Sequence, residues 1–194
     1  MKLQRREVVK SLLAGRGALL VVAGLGSTAW DCAAAGDSAL TFPMWGAMGN
    51  AAMTGLGLAL VQPARRVLVL TGDGEMLMGL GSLATIGVHQ PQNLTVVVID
   101  NERYGETGMQ ATHTAHGVDL AAMARAAGFA TGVVVRDTAG VAALRPAIHR
   151  DPGPHFAQVK VAAGKEPLVL PPRDGALLKN RFRQALLGED AALQ

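Results

Sequence analysis

The residues best suited to chemistry in this 194-residue chain are a carboxylate and an amide: Asp73 within Gly72-Asp73-Gly74, and Asn101 within Asp100-Asn101. Both are hard oxygen donors of the kind Mg²⁺ accepts, an ion that takes few protein ligands and completes its shell with phosphate and water. Gly72 and Gly74 let the backbone turn sharply and approach a ligand closely. A helix opening after Gly74 would aim its free N–H groups at the same place and favour an anion there. The pattern describes a magnesium-bridged phosphate site.

Such a site needs elements that bring Asp73 and Asn101 together. Val67 to Leu70 and Leu94 to Ile99 are apolar, β-branched-rich runs that read as buried strands. Met76 to His89 has helical length and no proline, so the unit is strand, crossover helix, strand, with parallel neighbours. Asp73 and Asn101 then leave the same end of adjacent strands, where open parallel sheets bind their ligands.

A Gly-Asp-Gly followed at this distance by a pair ending in Asn resembles the thiamine diphosphate signature of the 2-oxo acid decarboxylases and acetolactate synthases. The resemblance implies that Asp73, Asn101 and the backbone carbonyl of Arg103 hold the Mg²⁺ that clamps the diphosphate. The chain departs from the pattern at the first Asn, which is Asp100, but the ligand is the second position. The stretches DGEMLMGLGSLATI and DNERYGETGMQATHT are similar to the beta subunits or cofactor domains of sulfopyruvate and phosphonopyruvate decarboxylases. The implied fold is α/β: a three-layer, doubly wound, mostly parallel sheet.

Further cofactor contacts follow from the resemblance and from nearness to the motif. Gly72, Gly74, Glu75 and Met76 flank Asp73, while Tyr104, Gly105 and Glu106 follow Arg103. Gly26, Ser27 and Thr28, after the first strand, are further candidates. Gly46-Ala47-Met48-Gly49 resembles the family's turn under the thiazolium. There Met48 would wedge the cofactor into a bent shape, and the Gly46 carbonyl would accept from its 4′-amino group. The bend brings that nitrogen beside the C2 proton.

The family places the glutamate that activates the pyrimidine ring on a separate pyrimidine-binding domain, and this chain has room only for the magnesium domain. Glu75, Glu102 and Glu106 are not assigned that role by the motif. The implied protein is therefore the cofactor subunit of a two-subunit, cytoplasmic decarboxylase with its active site between unlike chains. Its substrate would be a small anionic 2-oxo acid such as sulfopyruvate or phosphonopyruvate. Three other readings are an acetolactate synthase-like carboligase subunit, a nicotinamide dehydrogenase and a non-catalytic scaffold subunit.

Composition excludes some classes. A net charge of +3 and an aromatic share of 4% give neither the basic stripe nor the stacking platforms of a nucleic-acid binder. No apolar stretch is long enough to span a membrane. Arg5-Arg6 and the apolar run after Ala18 imitate an export signal, but Glu7, Lys10 and Arg16 interrupt the approach. Arg6 to Ala14 reads instead as an amphipathic helix and Ala18 to Ala23 as the first strand. The one cysteine, Cys32, excludes an internal disulfide and reads as a buried small hydrophobe.

Gly24 to Ala29 and Gly79 to Ala84 match the dinucleotide fingerprint, the second inside the expected crossover helix, and no acid ends the strand after the first. Tyr104 to Gly117 reads as a loop in which His113 and His116 are mainly solvated. Beyond it come a helix at Leu120 to Ala127, a strand at Gly132 to Val135, a helix at Gly140 to His149 and a strand at His155 to Ala162. Val133, Val141, Leu144 and Val159 are the expected core positions of this half. The domain occupies residues 1–165. Residues 166–194 form an extended arm and a basic helix carrying Lys179, Arg181 and Arg183 on a solvated face.

Overall fold

The structure, a computed structural model, describes residues 2–192. From the N-terminus the elements are α1 (Arg5–Leu13), β1 (Leu20–Ala23), α2 (Ser27–Ala34), β2 (Thr41–Pro43), α3 (Ala51–Val61), β3 (Val67–Gly72), α4 (Asp73–Met78), α5 (Ser82–His89) and β4 (Leu94–Asp100). Next come the short strands β5 (Arg103–Tyr104) and β6 (Gln110–Ala111), then a 3-10 turn (His113–His116), α6 (Leu120–Ala126) and β7 (Thr131–Val135). The described part closes with α7 (Thr138–Ala143), α8 (Arg145–His149), β8 (His155–Lys160), α9 (Gly175–Leu187) and a second 3-10 turn (Gly188–Ala192).

Six strands form one sheet in the order β2-β1-β3-β4-β8-β7, every neighbouring pair parallel. Strands covered on both faces need apolar residues at consecutive positions, and every residue of β4 is buried. The alternation of side chains divides the core in two. Leu68, Leu70, Val97 and Ile99 face α1, α2, α7 and α8. Val67, Val69, Val96 and Val98 face α3, α5 and α6. The chain leaves β1 toward β2 and leaves β3 toward β4, so the winding reverses between β1 and β3. That reversal opens a crevice at the strand ends.

Several expectations are corrected. The crossover from β3 to β4 is two helices, broken at Gly79-Leu80-Gly81, because the backbone of Gly79 lies against that of Gly49. A Cβ at residue 79 would sit 2.0 Å from the Gly49 carbonyl oxygen. The helix expected over 140–149 likewise divides into α7 and α8, since Pro146 has no N–H to continue the ladder. The 104–117 segment is not a plain loop: β5 and β6 pair antiparallel within it, and the 3-10 turn follows. Val141, Leu144 and Val159 are core residues, but Val133 is 41% exposed because β7 is the edge strand, with a neighbour on one side only.

Arg5 and Arg6, read above as imitating an export signal, both grip Asp31 of α2, with Nη1–Oδ2 at 2.8 Å and Nε–Oδ1 at 3.0 Å. Cys32 is buried, and burial pushes its thiol pKa up to about 12. Residues 163–174 have no regular secondary structure before α9, whose N-cap Asp174 accepts from the N–H groups of Ala176 and Leu177. Phe182 of α9 meets Phe42 of β2 edge-on at 5.6 Å. Arg181, expected on a solvated face, pairs with Asp37 at 2.5 Å. Among the described residues no helix is long and apolar enough to cross a membrane.

Candidate active site

The ends of β1, β3 and β4 surround a cleft of about 400 Å³. In the sheet register Gly72 lies beside Ile99, so the chains leave β3 and β4 side by side at Asp73 and Asp100. Adjacent strands are about 4.8 Å apart, which keeps Asp73 and Asn101 close neighbours. Gly72 caps α4, which begins at Asp73, three residues before the expected start at Met76. Asp73 thus sits in the first turn, where the helix dipole favours a negative charge.

The side chain of Asp73 is only partly committed. Its Oδ2 accepts from the hydroxyl of Thr112 at 2.6 Å, and the Thr114 hydroxyl oxygen stands 3.3 Å away. Burial first, and the nearby Asp100 charge, push its pKa up to about 6, while the threonines pull it down. The Asn101 Oδ1 accepts from the Arg103 N–H at 2.9 Å, an Asx-type turn that fixes the amide beside the chain reversal. Glu102 enables that reversal with φ at +64°. The Glu102 carbonyl accepts from Thr112 and the Tyr104 carbonyl from Met109. Strand alternation turns the intervening Arg103 carbonyl away from this hairpin.

Among the described residues no three His, Cys, Asp or Glu side chains converge. The available donors are instead a carboxylate, an amide oxygen and a backbone carbonyl. That set fits Mg²⁺ bound together with phosphate oxygens and water.

Asp100 is wholly buried and takes no part in the cleft wall. It accepts from Lys160 Nζ at 2.8 Å, Gln158 Nε2 at 2.6 Å, Thr114 Oγ1 at 2.8 Å and the Glu102 N–H at 3.0 Å. Lys160 also reaches Glu102 at 2.9 Å. Burial lowers the Lys160 pKa, but hydrogen bonds to Asp100 and Glu102 outweigh it and hold the ammonium above its ordinary value.

Glu75 is buried beneath the loop after β1. Its Oε2 accepts from Thr71 Oγ1 at 2.7 Å, and burial raises its pKa against that bond. The Leu25 and Gly49 N–H groups lie near the carboxylate, yet Oε1 closes no hydrogen bond among the described residues. Gly24 is the residue that makes room, for a Cβ there would stand 1.9 Å from Oε2.

The cleft wall contains Gly26, Ser27, Met48, Gly72, Asp73, Gly74, Glu75, Asn101, Arg103, Tyr104, Gly105 and Glu106. Gly46 is exposed outside it, and Met76 is packed in the core between sheet and helices. Thr28 also turns inward, bonding the Gly24 carbonyl at 2.8 Å. His113 and His116 are exposed and apart from the wall.

Sequence reasoning missed Arg5, Trp30 and the Gly164–Lys165–Glu166 segment, which also line the cleft. Nothing in local spacing announces them, since they arrive from opposite ends of the chain. It also missed Thr112, Thr114 and Lys160. The signal there was Asp100 itself, because a carboxylate in place of an amide at a buried strand end requires a cation.

Residues 25–159 match the family described as thiamine pyrophosphate enzyme, C-terminal TPP binding domain. The chain is 38% identical over 97% of its length to the sulfopyruvate decarboxylase subunit beta of Methanothermobacter thermautotrophicus, of which it covers 98%. It is 47% identical to the phosphonopyruvate decarboxylase of Streptomyces viridochromogenes over 56% of its length, and covers 27% of that protein. The benzoylformate decarboxylase of Polynucleobacter necessarius superposes with a TM-score of 0.72 at 19% identity, over 87% of this chain and 35% of that one. The last likeness is one of fold.

Proposed function

The chain belongs to the thiamine pyrophosphate enzymes through its C-terminal TPP binding domain, and from that premise we propose that it is the cofactor-binding subunit of a Mg²⁺-dependent 2-oxo acid decarboxylase. Its substrate is a small anionic 2-oxo acid of the sulfopyruvate or phosphonopyruvate kind. The observation that carries this reading is that Asp73, Asn101 and Arg103, which follow the adjacent strands β3 and β4, all line the cleft beside the winding reversal. The sulfopyruvate decarboxylase subunit beta of Methanothermobacter thermautotrophicus, similar over 97% of the chain, supports the substrate class and the need for a second subunit.

Bound thiamine diphosphate supplies the electron sink that decarboxylation of a 2-oxo acid requires. The chain's own task is to hold and orient it. Asp73, the Asn101 amide oxygen and the Arg103 carbonyl hold the Mg²⁺. Gly26 and Ser27, at the start of α2, offer backbone N–H groups to the diphosphate. Met48, which also lines the cleft, would be the apolar support for the cofactor, in a turn braced by the Gly49–Gly79 backbone contact. Glu75, bonded to Thr71 at the cleft wall, lies beside the Leu25 and Gly49 backbones and is not the pyrimidine-activating acid. That acid belongs to the partner, a pyrimidine-binding-domain subunit.

The test is isothermal titration of thiamine diphosphate into the chain with and without Mg²⁺, then with a co-expressed pyrimidine-domain subunit, followed by CO₂ release from sulfopyruvate and phosphonopyruvate. Mg²⁺-dependent binding and turnover only by the assembled pair is the expected result. Turnover by the isolated chain, or binding indifferent to Mg²⁺, would refute the reading.

A further inference from the structure

We propose that Lys160 is a positioning residue for the metal-binding groups of this site, acting on Asp73 through Asp100, Thr114 and Thr112 and on the Asn101–Arg103 turn through Glu102. The inference rests on the assignment of Asp73, Asn101 and the Arg103 carbonyl as Mg²⁺ ligands.

The links are continuous. Lys160 Nζ meets Asp100 Oδ2 at 2.8 Å, and Thr114 donates to Asp100 Oδ1 at 2.8 Å. The two threonine oxygens are 2.9 Å apart, and Thr112 donates to Asp73 Oδ2 at 2.6 Å. Proton counting fixes the direction of these bonds. Each hydroxyl has one proton to give, and two carboxylates compete for the pair. The Asp100 charge, secured by Lys160 and Gln158, holds the Thr114 proton. Thr112 is then the donor left for Asp73 Oδ2, which orients the carboxylate with Oδ1 free of any side-chain partner among the described residues.

The second arm of the same lysine reaches the other ligands. Glu102 stands between Asn101 and Arg103 in the left-handed region, and its side chain meets Lys160 Nζ at 2.9 Å. One ammonium at the end of β8 therefore braces both strand ends that present the metal donors. It also makes Asp100 tolerable where the family resemblance leads one to expect an amide. Partners of this kind commonly govern metal affinity without touching the ion.

The experiment uses Mn²⁺ as an electron paramagnetic resonance probe in place of Mg²⁺, titrated into the full chain with saturating thiamine diphosphate. Lys160→Met is expected to weaken Mn²⁺ binding roughly 10- to 100-fold. The double variant Asp100→Asn with Lys160→Met should recover most of that loss, because an amide keeps the Thr114 and Glu102 bonds and needs no cation. Thr112→Val leaves Lys160 paired with Asp100 and Glu102 and removes only the donor to Asp73, so it tests that link even where Lys160→Met folds poorly. It too should lower Mn²⁺ affinity, with a changed spectrum from the altered ligand geometry. Unchanged Mn²⁺ affinity in folded Thr112→Val and Lys160→Met, even with a lower melting temperature, would overturn the inference while leaving the cofactor reading intact. Failure of the parent chain to bind Mn²⁺ at all would overturn both.

Discussion

The ring of Tyr104 fills the space that a side chain at residue 74 would need: a Cβ on Gly74 would lie 2.5 Å from Cε1 and 2.7 Å from Cδ1 of that ring. The turn after β3 and the hairpin after β4 are thus fitted to each other across the cleft. Gly74→Ala should push the ring away, at a cost of about 1–3 kcal/mol for overpacking, and weaken thiamine diphosphate binding. Tyr104 is the chain's one tyrosine, so 3-fluorotyrosine incorporation gives a single ¹⁹F resonance. That resonance should shift in Gly74→Ala; an unmoved signal with full cofactor affinity would contradict the packing argument.

Asp73 is expected to set function against stability. Its pKa in the fold, about 6, lies above its ordinary 3.8, so between these values the folded chain binds more protons than the unfolded one. Stability of the metal-free protein therefore falls as pH rises through this window and is greatest below it. Asp73→Asn removes the buried charge while the amide oxygen still accepts from Thr112. The metal-free variant should be more stable than the parent at neutral pH by about 1–3 kcal/mol, with the slope between pH 4 and 6 reduced. Mg²⁺-dependent cofactor binding should be lost. Urea denaturation across pH in the presence of a chelator, paired with titration calorimetry, tests both halves; equal or lower stability would show the charge to be well accommodated.

What was legible in the sequence was what local pattern dictates. Val67–Leu70 and Leu94–Ile99 are buried on both faces of a parallel sheet, and that environment writes itself as consecutive apolar residues. The glycines around Asp73 marked the turn, and the loop residues near Asn101 came with it. The rest depended on distant neighbours. Gly79 breaks the crossover helix because Gly49 lies against it, which no window around residue 79 reveals. Asp100 could be seen as a departure, but its cation stands on β8 and its threonines beyond a hairpin read as loop. Met76 and Gly46 belong to the motif by position, yet one is turned into the core and the other lies outside the cleft.

The Arg5–Asp31–Arg6 triad, whose Arg5 lines the cleft, is built around a buried carboxylate. Burial raises the Asp31 pKa while the two guanidinium groups pull it back down. Asp31→Ala would leave two cations facing each other with side chains only 6% and 17% exposed. Removing one partner of such a buried cluster typically costs about 3–5 kcal/mol. The variant should show that loss in urea denaturation and faster amide exchange in α1. Simultaneous replacement of Arg5 and Asp31 by apolar residues should be milder, since the one charge it leaves without its carboxylate is Arg6, whose guanidinium also donates to the Pro167 carbonyl at 2.7 Å. A double variant as unstable as the single would mean that the cluster's packing matters more than its charge balance.

Met48 tests the orientation of the cofactor separately from its capture. It lies on the cleft wall in the turn between Gly46 and Gly49, distant in the chain from the proposed metal ligands. Ala47 adopts φ of +56° and Gly49 φ of +91° to form that turn, a backbone shape that the truncation Met48→Ala leaves undisturbed. The metal-ligand wall is intact in the variant, so thiamine diphosphate affinity with Mg²⁺ should fall by less than about tenfold, the loss of part of one apolar contact. If the side chain supports the bent cofactor, exchange of the C2 proton for deuterium in the assembled two-subunit enzyme should slow by about tenfold or more, an orientation effect. Rapid-quench proton NMR reads that rate directly. An exchange rate equal to the parent's would remove Met48 from the orienting role and leave it an ordinary wall residue.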